Sequence, residues 1–220
     1  MSTITDSLPG IRISSVLLKA CMAITGMLLA GWLTLHMLGN LLVFAGPVLM
    51  NAYGERLQAT GLLWPMRMLL LAACALHVVC AAITTRRSRA ARPIGYRAPL
   101  RSAASTAASR SMRVSGALLL AYIVYHVGIV HGLAHPSFVA SDVHHNLVSL
   151  LHRPVHAAGF AFASALLAAH LAHGLGSAWI SLGWVPRSRE RWVHRGMRTW
   201  AACVTLGFAA IAVAPWFGWI

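Results

Sequence analysis

Twelve histidines and four acidic residues occur among 220 residues. The histidines of chemical interest lie inside long apolar runs: His36, His77, His126 and the doublet His170 and His173. A neutral imidazole in such surroundings hydrogen-bonds a neighbouring helix, or it ligates a metal through one ring nitrogen. A lone buried histidine supports either use. Four separate runs that each carry one, with almost no acid beside them, favour a shared cofactor, because ionisable groups at membrane depth are costly and mark function.

The runs that carry these residues fall at 17–45, 63–85, 114–134 and 154–182, with a fifth at 199–219. Each can cross a hydrocarbon layer of about 30 Å, which takes about 20 helical residues. Hydrophobic residues make up 58% of the chain and charged ones 10%, and mean hydropathy is +0.69. A soluble domain needs more charge, and a disordered chain cannot be this apolar. The expected fold is an all-α integral membrane protein, a single membrane domain over residues 1–220 with five transmembrane helices. The N-terminus has no basic segment leading a short apolar stretch and a cleavage site, so the first span is expected to be retained. Cys21, Cys74, Cys80 and Cys203 lie in apolar segments without C-x-x-C spacing and read as small hydrophobes.

A net charge of +14 raises the question of nucleic acid, but the arginines stand in short stretches between apolar runs with no interleaved aromatics. They read as topology. Arg86, Arg87, Arg89, Arg92, Arg97, Arg101, Arg110 and Arg113 separate spans two and three. Arg187, Arg189, Arg191, Arg195 and Arg198 separate spans four and five, and Arg12 and Lys19 precede or open span one. The positive-inside rule puts all three segments, and the N-terminus, in the cytoplasm and the C-terminus outside. Trp64, Trp179, Trp184, Trp216 and Trp219 near span ends suit an aromatic belt, and the arginines suit anionic lipid.

Depth sorts the histidines. At about 1.5 Å per residue, His36 lies about 16 Å below Pro47 and His126 about 15 Å below Pro136, while His77 is about 20 Å from Trp64 and His170 about 24 Å from Pro154. His36 and His126 form an outer pair, His77 and His170 an inner one. Two facing imidazoles on different helices are what a b-type haem with two axial histidines needs, and bundle cores are where such sites are built. Four of the five spans are therefore expected to form a haem-binding bundle holding two haems b, one above the other. Zinc or copper would ask for three or four ligands at one level. A histidine-lined transporter without haem would ask for intramembrane acids, whereas Glu55 and Asp142 lie in loops.

Spans one and three share a local pattern. T-G-M-L-L-A-G-W-L-T-L-H ends at His36 and S-G-A-L-L-L-A-Y-I-V-Y-H ends at His126, so Gly26 and Gly116 each stand ten residues before a histidine. Ten residues carry a helix about 15 Å inward, to the inner layer. A missing side chain there makes room for the inner porphyrin or serves ordinary close helix packing.

From about residue 20 to about residue 185 the chain resembles the single-polypeptide, di-haem cytochrome b subunit of bacterial succinate dehydrogenases and fumarate reductases. The likeness is carried by L-H-M-L-G-N-L-L-V-F with G-P-V-L-M-N-A-Y-G-E-R-L, by L-H-V-V-C-A-A-I and R-A-A-R-P-I-G-Y, by A-S-R-S-M-R-V-S-G with Y-H-V-G, and by A-H-L-A-H-G-L-G-S-A-W. The resemblance implies His36 and His126 as axial iron ligands of the outer haem and His77 and His170 of the inner. His170 is chosen over His173 because the family's ligand stands four positions before the glycine matching Gly174. The resemblance further implies an anchor in the bacterial cytoplasmic membrane, itself not catalytic for succinate, beneath an iron–sulfur subunit and a flavoprotein subunit. Electrons would pass through the haems to a membrane quinone, with menaquinone expected. The cytochrome b subunit of a formate dehydrogenase or hydrogenase is the competing reading within electron transfer.

His131, His135, His144, His145, His152 and His156 crowd the outer side with Asp142. Such a group suits proton exchange with a quinone near the outer haem, or is simply a solvated loop. His156 lies on nearly the same helical face as His170, fourteen residues away, which makes it the preferred member, with His131 second. A counterpart of the buried acid that some family members place there is missing. Arg86, Arg87 and Arg113 stand where haem propionates would need donors.

Overall fold

The computed structural model describes residues 13–91, 107–133 and 135–220. Arg12, Arg92, Arg97 and Arg101 lie outside the described residues, as does 92–96 of the R-A-A-R-P-I-G-Y stretch. The described chain is helical, with no strand: α1 is Ser15–Asn40, α2 Pro47–Ala59, α3 Leu63–Ala90, α4 Ala107–Val130, α5 Val143–Leu151, α6 Pro154–Ser181 and α7 Glu190–Val213. Five of these helices, α1, α3, α4, α6 and α7, are long and apolar enough to cross a membrane, which makes the chain a multi-pass membrane protein.

Helices α1 and α6 occupy the centre. Helix α3 packs on α1, α4 packs on α6, and α7 covers α6 and touches α1. Small residues set these approaches, as in other membrane bundles: Ala30 and Ala201 pack with Leu171 and Leu175, and Gly207 lets the Met37 side chain lie against the α7 backbone. Large apolar residues such as Val16, Leu35, Trp64, Leu71, Val79 and Val124 remain exposed on the outward faces, where lipid replaces water as the neighbour.

The basic segments gather at one end. Arg87 Nη1 donates to the Ile13 carbonyl at 2.7 Å, which ties the end of α3 to the start of α1. Met112 at the start of α4 lies against Gly174 of α6, and His194 of α7 lies against Gly176. Arg195 stacks over Trp192, 5.1 Å from the ring centre. The fifth spanning helix, α7, begins at Glu190, nine residues before the span expected at 199, because its arginines alternate with Trp192 and Met197 along an amphipathic first half. Long arginine stems can lie along an apolar surface while their heads stay in water, so a charged segment still extends the span.

At the opposite end, two short helices fill what reads in sequence as loop. Helix α2 opens on Pro47 after Gly46, whose φ of 90° makes the turn out of α1. Helix α5 opens on Asp142, whose carboxylate accepts the His145 N–H at 2.9 Å as a helix cap. Asn51 of α2 donates to Asp142 at 3.0 Å and accepts from the His144 N–H at 3.0 Å. Below them Val43, Met50, Leu151 and Ile211 form a buried cluster, and Trp216 Nε1 donates to the Leu151 carbonyl at 3.0 Å.

Candidate functional site

The outer histidines meet directly. The His36 ring of α1 and the His126 ring of α4 have centroids 6.1 Å apart with planes at 80°. Two imidazoles on opposite sides of one ion would sit at about that distance, from a metal–nitrogen bond of about 2 Å on each side plus about 1 Å to each ring centre. Aromatic rings enclose the pair. Trp32 stacks on His36 at 4.8 Å, Tyr122 stacks on His126 at 5.7 Å, Phe208 stands 6.1 Å from His36 and Phe160 6.4 Å from His126. Asn40 Nδ2 donates to the His36 carbonyl at 2.7 Å and lies 3.3 and 3.4 Å from the two ring nitrogens.

The inner histidines are set differently. His77 of α3 leans on α1 at Gly26, where an added Cβ would stand 3.1 Å from its Cε1. His170 of α6 leans on α4 at Gly116, where an added Cβ would stand 3.3 Å from its Cε1. Both glycines therefore open space for an imidazole one residue type at a time, at the depth the ten-residue spacing foretells. Beside each glycine a hydroxyl reaches the same ring: Thr25 Oγ1 is 3.2 Å from His77 Nδ1, and Ser115 Oγ is 3.1 Å from His170 Nδ1. The two imidazoles lie within electrostatic reach of each other.

His173 faces elsewhere. Its Nε2 is 3.4 Å from Ser177 Oγ on its own helix, and His194 and Arg198 of α7 lie within electrostatic reach. The doublet is thus divided between two neighbours, His170 toward α4 and His173 toward α7.

The far-end histidines do not form one cluster. His131 Nδ1 donates to the Val127 carbonyl at 2.7 Å and His152 Nδ1 to that of Val148 at 2.9 Å, each at the end of the helix just before it. His145 Nε2 donates to the Ser137 carbonyl at 3.0 Å. His135 is buried, with Nε2 donating to the Asn146 carbonyl at 3.0 Å. Among the described residues, His156 alone of these pairs with a side chain of another helix: its Nδ1 and the Tyr125 hydroxyl are hydrogen-bonded, and the rings stack 6.0 Å apart. Tyr125 in turn neighbours Tyr122 at 5.9 Å, so aromatic contacts run from His126 to His156. Outside the membrane-spanning helices, the Asp142 carboxyl is held below its ordinary range, first by the His145 N–H and then by the Asn51 amide.

Several of these partners carry no signal that sequence reading used. Trp32 and Asn40 flank His36 at four-residue spacing, and Tyr122 precedes His126 by four, so one-turn neighbours of each histidine would have found them. Phe160 and Phe208 come from other helices, and only packing reveals them.

The chain matches no family model, no curated protein and no solved structure. The donor set itself is what tests the fit of a cofactor. Among the described residues no three His, Cys, Asp or Glu side chains gather so as to hold a metal ion, while His36 and His126 stand as a pair. That donor set, imidazoles with no third or fourth ligand beside them among the described residues, fits a haem that two histidines would hold and does not fit a tetrahedral zinc or copper site.

Proposed function

We propose that the chain is the di-haem b membrane anchor of a bacterial succinate:quinone oxidoreductase, in which His36 and His126 hold the outer haem and His77 and His170 the inner. The observation that carries this reading is the layering: two imidazoles 6.1 Å apart, and about 15 Å further along the same two helices two glycines that each receive an imidazole from a third and a fourth helix. When bound, haem ligated by two imidazoles supplies reversible one-electron chemistry, and two of them in line link a peripheral donor to a membrane quinone. The protein's own share is to hold neutral imidazoles in a dry apolar bundle, wall the outer pair with aromatics, and leave space for the inner rings. The motif resemblance supports succinate or fumarate as the partner reaction. It also supports docking of an iron–sulfur subunit and a flavoprotein against the basic end, in the cytoplasmic membrane.

Purification of the tagged full chain from its native membrane in mild detergent tests this. Succinate should reduce b-type absorbance bands, and a flavoprotein and an iron–sulfur subunit should accompany the chain. Bands that respond to formate or hydrogen and not to succinate would move the chain to the competing dehydrogenase class.

A further inference from the structure

Thr25-Gly26 and Ser115-Gly116 repeat one device on two helices. In each the glycine backs the ring of an inner histidine, and the preceding hydroxyl approaches Nδ1 of that ring, at 3.2 Å for His77 and 3.1 Å for His170. The direction of these bonds follows from where each hydroxyl sends its own proton. Thr25 Oγ1 donates to the Cys21 carbonyl at 2.7 Å, with that of Met22 at 3.2 Å. Ser115 Oγ donates to the Met112 carbonyl at 3.3 Å. Thr25 Oγ1, with its only proton given to a carbonyl at 2.7 Å, faces His77 as an acceptor, so Nδ1 of that ring carries the hydrogen, and the matching Ser115 bond is assigned the same direction. For His77 a second acceptor agrees, because its Nδ1 also lies 3.0 Å from the Met22 carbonyl, and a carbonyl can only accept.

We propose that Ser115 is a positioning residue for the inner layer, its hydroxyl fixing His170 as the Nδ1–H tautomer so that Nε2 alone is free to ligate, and that the Thr25 hydroxyl shares the same part with the Met22 carbonyl at His77. Each brace comes from a helix that also carries an outer histidine, eleven residues further on, so α1 and α4 set the orientation of both layers. The two braces differ in strength. His77 keeps the Met22 carbonyl if Thr25 is lost, whereas among the described residues His170 has the Ser115 hydroxyl as its one hydrogen-bonding partner at Nδ1.

The first test needs no haem. Nitrogen NMR of the full-length chain, labelled at histidine and prepared without haem, reports which ring nitrogen carries the proton. The His170 signal is assigned by its absence from His170→Gln. His170 should be Nδ1–H in the parent and in Ser115→Thr, and should become a mixture of tautomers in Ser115→Ala. Thr25→Val should leave His77 as Nδ1–H. Finding His170 protonated at Nε2 in the parent, or unchanged in Ser115→Ala, would overturn the proposal.

A second arm rests on the di-haem reading. In the haem-loaded chain, Ser115→Ala should raise the midpoint potential of the inner haem and leave the outer one in place, since an imidazole without an acceptor at Nδ1 donates less charge to iron. Ser115→Thr should restore it. Loss of the inner haem alone from Ser115→Ala would also support positioning, and two unchanged potentials would refute it. A chain that takes up no haem would count against the di-haem reading, and the NMR result would still decide the role of the hydroxyls.

Discussion

The two histidine layers use the same residue type and differ in nearly everything around it. The outer pair, His36 and His126, is walled by Trp32, Tyr122, Phe160 and Phe208, and its rings already stand 6.1 Å apart. Among the described residues no aromatic ring walls the inner pair in this way. It rests on glycine backbone and on two hydroxyls, so its geometry comes from hydrogen bonds across helices and its space from missing side chains. Removal of a ligand should therefore hurt both layers alike, but bulk added at the helix surface should hurt only the inner one. Bulk removed from the aromatic wall should hurt only the outer.

The strongest test of this difference is ligand removal. His36→Ala should abolish the outer haem and keep the inner, halving the b-type absorbance of the purified chain, and two haems retained in that variant would refute ligation by His36. Gly26→Val and Gly116→Val come next. An added Cβ alone stands 3.1 or 3.3 Å from the ring, so valine should displace His77 or His170 and remove the inner haem signal while the outer signal persists. The alanine variants should weaken it only in part. Full inner-haem content in both valine variants would mean that the glycines merely pack helices.

Phe208→Ala probes the outer wall. Phe208 is 5% exposed and packs with Met37 and Val204, so truncation should cost about 3 kcal/mol, read as a lower midpoint of thermal unfolding by circular dichroism. The inner haem's spectrum should not move, and an unshifted midpoint would argue against close packing there. The smallest effect belongs to the far-end cap. The Asp142 carboxyl is held below its ordinary value of 3.8, so its contribution is complete above that value and is lost as pH falls through the lower folded value. Hydrogen exchange in the first turn of α5 should accelerate on acidification through that range, and Asp142→Asn should flatten the dependence. A pH profile unaltered by the substitution would place the acid sensitivity in another group.

Much of this was legible because helical rise is fixed. Counting residues inward from Pro47 and Pro136 placed His36 and His126 at one depth, and the structure sets their rings against each other. The same counting put Gly26 and Gly116 one layer inward, where they meet His77 and His170. Lateral neighbours were not legible in this way. The hydroxyls of Thr25 and Ser115 sit beside those glycines in the sequence, but their reach to another helix depends on which faces α1 and α4 turn. The six far-end histidines looked like one group because they are close in sequence, yet four are tied to backbone carbonyls nearby, and among the described residues His156 alone of them is hydrogen-bonded to a side chain of another helix, Tyr125. Helices α2 and α5 escaped detection because each is too short for the spanning-length test. The early start of α7 escaped because arginines lower the hydropathy of a segment that is helical all the same.

The central claim is that each layer holds one haem between two imidazoles. Haem content per chain, measured from reduced-minus-oxidised and pyridine haemochrome spectra of the purified full-length protein beside His126→Ala and His77→Ala, tests it most directly. Two b haems in the parent and one in each variant, with different haems lost, is the expected result. A parent chain without b-type bands, or variants that both retain two haems, would contradict it.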